Sequence, residues 1–320
     1  MADKVRLALI GAGGMANSVH YPSLQEMDDV EMVALCDLVE EKLHATADKF
    51  AIEKRYTDYK KMIEDTDPDG VYILMPPYHL HDLVVHCLSQ GLNVFVEKPP
   101  AVTSYQTRAF AHLADRHNCL TMTGFNRRFI PLLQQCRQRV LERGGMIQCV
   151  STFYKWHPGG PYYNGAIDIV YCDAVHAVDT LRWMGGDVAK VVSDIKCNGR
   201  EFETSWIALT QHVSGCTGVL LTNWMVGGRR HTFEMHGRGI SCFCEPEVDR
   251  GAEIYVEGQG PETISTVAAA GTDARHHTYG FFGENRHFVD CLKANIEPET
   301  CFADATKTME LADRLYRNQM

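Results

Sequence analysis

Three stretches of this sequence carry residues suited to chemistry. In NVFVEKPP, residues 93–100, an acid and an ammonium follow a short apolar run, and two prolines stop the chain. An unpaired buried charge costs several kcal/mol, so Glu97 and Lys98 must emerge from the core or find partners. At the carboxyl end of a parallel strand they would stand beside the crevice where open α/β sheets bind ligands. There Lys98 can hydrogen-bond a hydroxyl and steady the alkoxide that develops as hydride leaves, and a cis bond before Pro99 would turn it inward. The second stretch is AVHAVDTL, where His176 can accept a proton near neutral pH. A histidine among apolar residues also reads as a core residue with its hydrogen bonds satisfied. The third is GAGGMA, comprising Gly11, Gly13, Gly14, Met15 and Ala16 directly after an apolar run. Its Gly11, Gly13 and Ala16 fall at the spacing of a dinucleotide fingerprint: one glycine for a tight turn, one for close approach of pyrophosphate, and a small third residue for helix packing. Asp37 follows 26 residues after Gly11. An acid there binds both ribose hydroxyls and repels a 2′-phosphate, and no arginine follows it, so NAD is expected as cofactor and NADP is disfavoured.

Elements must hold these residues in place. From Val5 to about Gly124, short β-rich runs alternate with helical stretches, which predicts parallel strands joined by crossover helices. Strands are expected at 5–10, 31–36, 55–56, 71–75, 93–96 and 120–123. After Gly124 longer strand candidates follow one another at 146–156, 188–197, 205–213, 218–226 and 231–236, which predicts a mostly antiparallel sheet. One helix, 169–184, interrupts them and ends at Gly185-Gly186. Residues 257–272, rich in Gly, Ala and Thr, read as a loop. The expected fold is therefore an α/β Rossmann domain with a doubly wound parallel sheet, residues 1–124, followed by an α+β domain over residues 125–320.

Composition narrows the partners. The 320 residues are 45% hydrophobic and 22% charged, enough for a large core. A net charge of −10 argues against a nucleic-acid surface. No run approaches 18 apolar residues and the N-terminus lacks a signal-peptide pattern, so neither nucleic acid nor membrane is expected as a partner, and the cytoplasm is the expected location. The 12 cysteines are scattered. The Cys242-x-Cys244 pair and the His79/His81 and His276/His277 pairs lack the four-ligand spacing of a structural zinc site, and no metal is expected.

The motifs extend beyond these stretches. GAGGMA is followed by His20-Tyr21-Pro22, Met75-Pro76-Pro77, Gly91, Glu97-Lys98-Pro99, Asn126-Arg127-Arg128-Phe129, His176 with Asp179, and ENRHFVDCL at 284–292. In this order they resemble the glucose-fructose oxidoreductase, inositol dehydrogenase and rhizopine-catabolism family over nearly the whole chain. The resemblance implies an open-faced sheet in the second domain and a sugar or cyclic polyol substrate. It implies that Lys98 lies at the substrate and that His176 is the proton acceptor. It also implies cofactor contacts from Met75, Pro76, Pro77, His81, Glu97, Lys98 and Asn126, and substrate contacts from Arg127 and the Cys172–His176 turn. Cys172 stands where the family usually carries an aspartate, and Ala174 where it has glycine. Asp173, three positions before His176 on a helix, is on a neighbouring face and is expected to stabilise the imidazolium in its stead. Tyr154, Trp156 and Tyr163 offer aromatic faces to sugar C–H surfaces or, alternatively, pack a dimer interface; a homodimer or homotetramer is expected. Two other activities share these residues: a glycosidase that oxidises its sugar transiently and recycles NAD, and a non-enzymatic metabolite sensor. Lys98 and His176 together favour the dehydrogenase, because a sensor needs no acid–base pair.

Overall fold

The computed structural model describes residues 4–320. The chain forms two compact units, one running to Phe125 and including Phe281–Thr306, the other comprising Asn126–Gly280 and Lys307–Met320.

The first unit is built on β1 (Val5–Ile10), β2 (Val30–Cys36), β3 (Arg55–Tyr56), β4 (Gly70–Ile73), β5 (Asn93–Glu97) and β6 (Thr121–Gly124). These form one parallel sheet in the order β3-β2-β1-β4-β5-β6. Their apolar runs are continuous because both faces are covered, as parallel sheets require; Leu7, Ala8, Leu9, Val71, Tyr72, Ile73, Val94, Phe95 and Val96 are fully buried. The strand order reverses between β1 and β4, which opens a crevice at their carboxyl ends.

The expected boundary at 124 gave everything after it to the second domain. The helix Phe281–Ala294 instead completes the first unit. Its apolar face supplies cover that the sheet needs. Phe288 is fully buried, with its ring 5.7 Å from Tyr72 and 5.8 Å from Phe95. Leu292 packs on Gly70, where a Cβ would come within 3.1 Å of it.

The second unit contains β7 (Met146–Trp156), β8 (Val188–Lys196), β9 (Ser205–His212), β10 (Thr217–Asn223), β11 (Met225–Gly237), β12 (Ile240–Cys244), β13 (Gly251–Val256) and β14 (Gln259–Ser265). They form one sheet in the order β14-β13-β12-β11-β7-β10-β9-β8, antiparallel except for the pair β7 and β10. The helix Val175–Gly185, preceded by the π-helical turn Val170–Ala174, packs Val178 and Leu181 into a core with Cys149 and Phe153 of β7. The predicted loop at 257–272 is in fact β14 and the helix Thr266–Ala270, capped by Ser265. Six of the seven β14 residues are exposed, so this edge strand carries no alternation of apolar and polar residues to announce it.

Candidate active site

The glycine loop leaves β1 with Gly11 at φ 108°, and a Cβ there would lie 2.6 Å from the Leu74 carbonyl oxygen, so only glycine fits. Around Gly13 and Gly14 a Cβ would meet nothing within 4 Å. This open shelf precedes helical turns that run from residue 14 to Gln25 with a π-helical stretch at Ala16–His20. Helix N-termini present free N–H groups and positive dipole ends to phosphates. Asp37, just past β2, accepts hydrogen bonds from the backbone N–H of Ala12 (2.7 Å) and of Val39 (2.8 Å), which ties the loop to the acid. Asp37 also lines a cavity of about 350 Å³ with Ile10, Tyr59, Met75, His79 and Asp82. An acid facing a cavity beside an open glycine shelf fits the ribose and pyrophosphate of a dinucleotide.

His81, assigned to the cofactor from sequence, is exposed and set against the Phe110 ring at 5.7 Å. The cavity takes His79, Asp82 and Leu83 instead, which share one helical face at spacings of three and four. Pro76 is half-buried and Pro77 buried at the turn that delivers this face. Asp37→Ala should narrow the preference for NAD over NADP about tenfold, or ~1.4 kcal/mol, by removing the ribose acceptor and the repulsion of a 2′-phosphate. Titration of both cofactors checks this; unaltered discrimination would place the selector elsewhere.

At the end of β5 the Lys98–Pro99 peptide is cis, and Pro99 and Pro100 are buried. Glu97, expected at the cofactor, is only 8% exposed. One of its oxygens lies 2.9 Å from His20 Nε2 and the other accepts the Lys98 backbone N–H at 2.9 Å.

In the second unit, β7 alternates. Cys149, Ser151 and Phe153 are buried, and Phe153 is packed with the His176 ring, centroids 6.3 Å apart. The Arg127 guanidinium sits 4.7 Å over the same Phe153 ring, and His231 stacks on it at 3.6 Å. Burial, followed by the charges of Arg127, Arg229 and Lys155, pushes the His231 pKa far down, so this ring is neutral. Two residues beyond Phe153, Lys155 Nζ donates to Asp173 Oδ2 at 2.5 Å, and Trp224 Nε1 donates to the same oxygen at 3.1 Å. Burial first, then the Asp173 charge, raises the nearby Tyr162 hydroxyl to about 12. His176 is 7% exposed, Cys172 is buried, and Asn126 donates to the Tyr279 carbonyl oxygen at 2.8 Å.

The structure therefore gathers Arg127, Asp173 and His176, and adds Phe153, Lys155 and Trp224, which the sequence reading missed. Tyr154 does not join them. With Thr152, Arg230 and Glu234 it lines a groove of about 750 Å³ on the other face of the sheet, because successive strand residues point to opposite sides. Trp156 and Tyr163 are exposed at 56% and 41%. Alternation alone could have found Lys155, since 153 and 155 share a face.

Residues 5–125 match an oxidoreductase family described by its NAD-binding Rossmann fold. The D-apiose dehydrogenase of Paraburkholderia graminis is 27% identical over 327 aligned positions, covering 97% of this chain and 86% of that protein. The rhizopine catabolism protein MocA of Rhizobium meliloti is 32% identical over 190 positions, 57% of this chain and 58% of that protein. In fold, the chain is similar to a levoglucosan dehydrogenase solved with NADH, with a TM-score of 0.87 at 18% identity over 99% of this chain and 97% of that one. With its reversed parallel sheet, its glycine shelf and its acid after β2, the stretch 5–125 matches the NAD-binding Rossmann domain of the glucose-fructose oxidoreductase, inositol dehydrogenase and rhizopine-catabolism family of oxidoreductases, and similarity to D-apiose dehydrogenase extends along almost the whole chain.

Proposed function

We propose that the protein is an NAD-dependent dehydrogenase that oxidises a hydroxyl carbon of a sugar or cyclic polyol. The observation that carries this reading is the Asp37-lined cavity beside the Gly13–Gly14 shelf, together with similarity to a D-apiose dehydrogenase along almost the full chain. Bound NAD supplies the hydride acceptor. Lys98 hydrogen-bonds the substrate oxygen and stabilises its growing negative charge, and His176 takes the hydroxyl proton. The test is a screen of pentoses, hexoses, their lactones and inositols with NAD, following absorbance of the reduced cofactor and, in parallel, release of any glycosidic leaving group. Bond cleavage without net reduced cofactor would favour the transient-oxidation hydrolase, and no reaction with any of them would overturn the dehydrogenase.

Asp173 is proposed to act on His176 from one turn earlier, with Lys155 and Trp224 fixing its carboxylate. Asp173→Asn keeps the shape and removes the charge. It should lower kcat about tenfold and displace the pH–rate profile, as loss of a carboxylate that stabilises an imidazolium does, and Cys172→Asp in that background should recover part of the loss. An unmoved profile would leave Asp173 as a purely structural partner of Lys155. The sheet face opposite the helix Val175–Gly185 exposes Ile207, Leu209 and Phe243 at 45%, 52% and 41%. Apolar residues in such a row suit coverage by a second copy of the chain, and the protein is proposed to be a homodimer or homotetramer, which sedimentation at graded concentrations decides.

A further inference from the structure

Three residues of the sequence motifs take no part in the chemistry proposed above, and the first unit brings them to one point. They are His20 of His20-Tyr21-Pro22, Glu97 of Glu97-Lys98-Pro99, and Asn285 in the ENRHFVDCL run. His20 and Asn285 have no exposed surface. Rings confine His20 edge-on, with Phe95 at 5.4 Å and Phe281 at 5.6 Å. The Asn285 amide nitrogen donates to the Phe281 carbonyl oxygen at 2.7 Å, and the same nitrogen lies 3.3 Å from His20 Nδ1. The Asn285 amide oxygen is also near Nδ1, at 3.4 Å, so the tautomer is set at the other nitrogen. A carboxylate only accepts, so Nε2 carries the hydrogen donated to Glu97 Oε1, 2.9 Å away, and Nδ1 is left to accept from the Asn285 amide. The other oxygen of Glu97 takes the Lys98 backbone N–H at 2.9 Å. Glu284, also fully buried, brings a carboxylate oxygen within 4.8 Å of His20 and Glu97.

We propose that His20 and Glu97 are positioning residues that fix the backbone of Lys98 from inside the Rossmann unit. This rests on the role proposed above for Lys98. A carboxylate can accept from two N–H donors at once; an amide of the same shape offers one oxygen and one NH₂ group, so at position 97 it must lose either His20 or the Lys98 backbone. A buried chain of this kind sets the direction in which the lysine leaves the strand without touching substrate. Displacing a reacting group by about 1 Å can cost ~10²-fold in rate.

The experiment compares Glu97→Gln, His20→Phe, their double mutant and His20→Gln, which retains an amide donor. Each of the first two should lower kcat by about 10–100-fold, while KM and the NAD dissociation constant stay within about threefold, the pattern of lost transition-state geometry rather than lost binding. The double mutant should be no worse than the more damaging single mutant, and His20→Gln should regain part of the rate lost in His20→Phe. A second readout needs no substrate: the rate of reductive methylation of Lys98, followed by peptide mass spectrometry, should change several-fold in Glu97→Gln. An unaltered methylation rate in a cooperatively melting Glu97→Gln protein would overturn the proposal, as would losses that multiply in the double mutant. If the wild type oxidises no sugar, the dehydrogenase reading fails, while the methylation rates still decide whether Glu97 holds Lys98.

Discussion

Lys98→Met should lower turnover on whichever sugar the wild type oxidises by about 10²–10⁴-fold, the usual worth of a positioned acid or base, with NAD affinity nearly intact. Methionine keeps an unbranched stem of similar length and removes only the ammonium. Glu97 is bonded to the Lys98 backbone and not, in that bond, to its side chain, and the neighbouring prolines are buried whatever the side chain at 98 carries. The loss should therefore appear in kcat and kcat/KM together, which marks an interaction made in the transition state. His176→Asn should give a loss of similar size, and the double mutant should be little worse than either, because residues that act as a unit are grossly non-additive. Collapse of NAD binding along with activity would make Lys98 a structural residue.

The two units differ in how much of them is legible in the sequence. In the first, a strand buried on both faces, a glycine that no other residue can replace at Gly11 and an acid at the end of β2 all leave local marks, and the spacing of GAGGMA and Asp37 alone marks the expected cofactor end. What the chain order hides is the return of Phe281–Thr306 to that unit, since Phe288 meets Tyr72 and Phe95 across some two hundred residues of sequence. In the second unit, local pattern says that a sheet exists but not which face of it meets His176. Tyr154 looks like a sugar-stacking residue and Lys155 like a solvated charge, yet alternation along β7 assigns Lys155 to Asp173 and Tyr154 to the opposite groove. The edge strand Gln259–Ser265 was invisible for a related reason: with almost no buried side chain it has no pattern to read.

The largest stability effect is expected at a residue that a search for chemistry would mistake for catalytic. Asp179 lies three positions after His176, so the two side chains occupy neighbouring positions on one helix. Its environment is different. Asp179 is 1% exposed and Arg128 5%; Asp179 Oδ2 accepts from Arg128 Nε at 2.8 Å, and Oδ1 accepts from Arg128 Nη2 at 2.5 Å and from Thr308 Oγ1 at 2.8 Å. This two-pronged pair anchors the turn Asn126–Phe129, and with it Arg127 over Phe153. Removing one partner of a buried ion pair strands the other charge and typically costs ~3–5 kcal/mol, so Asp179→Ala should lower unfolding free energy by about that amount in urea titrations. The desolvation cost of such a pair often equals its attraction, and replacing both charges by apolar residues is frequently neutral. Asp179→Leu combined with Arg128→Met should therefore recover most of the stability that Asp179→Ala loses. It should not recover full activity, because Arg127 is carried on the turn that the pair orients. A loss below about 1 kcal/mol in Asp179→Ala, the range of exposed pairs, would show that the pair is solvated in practice and that the turn is held by something else.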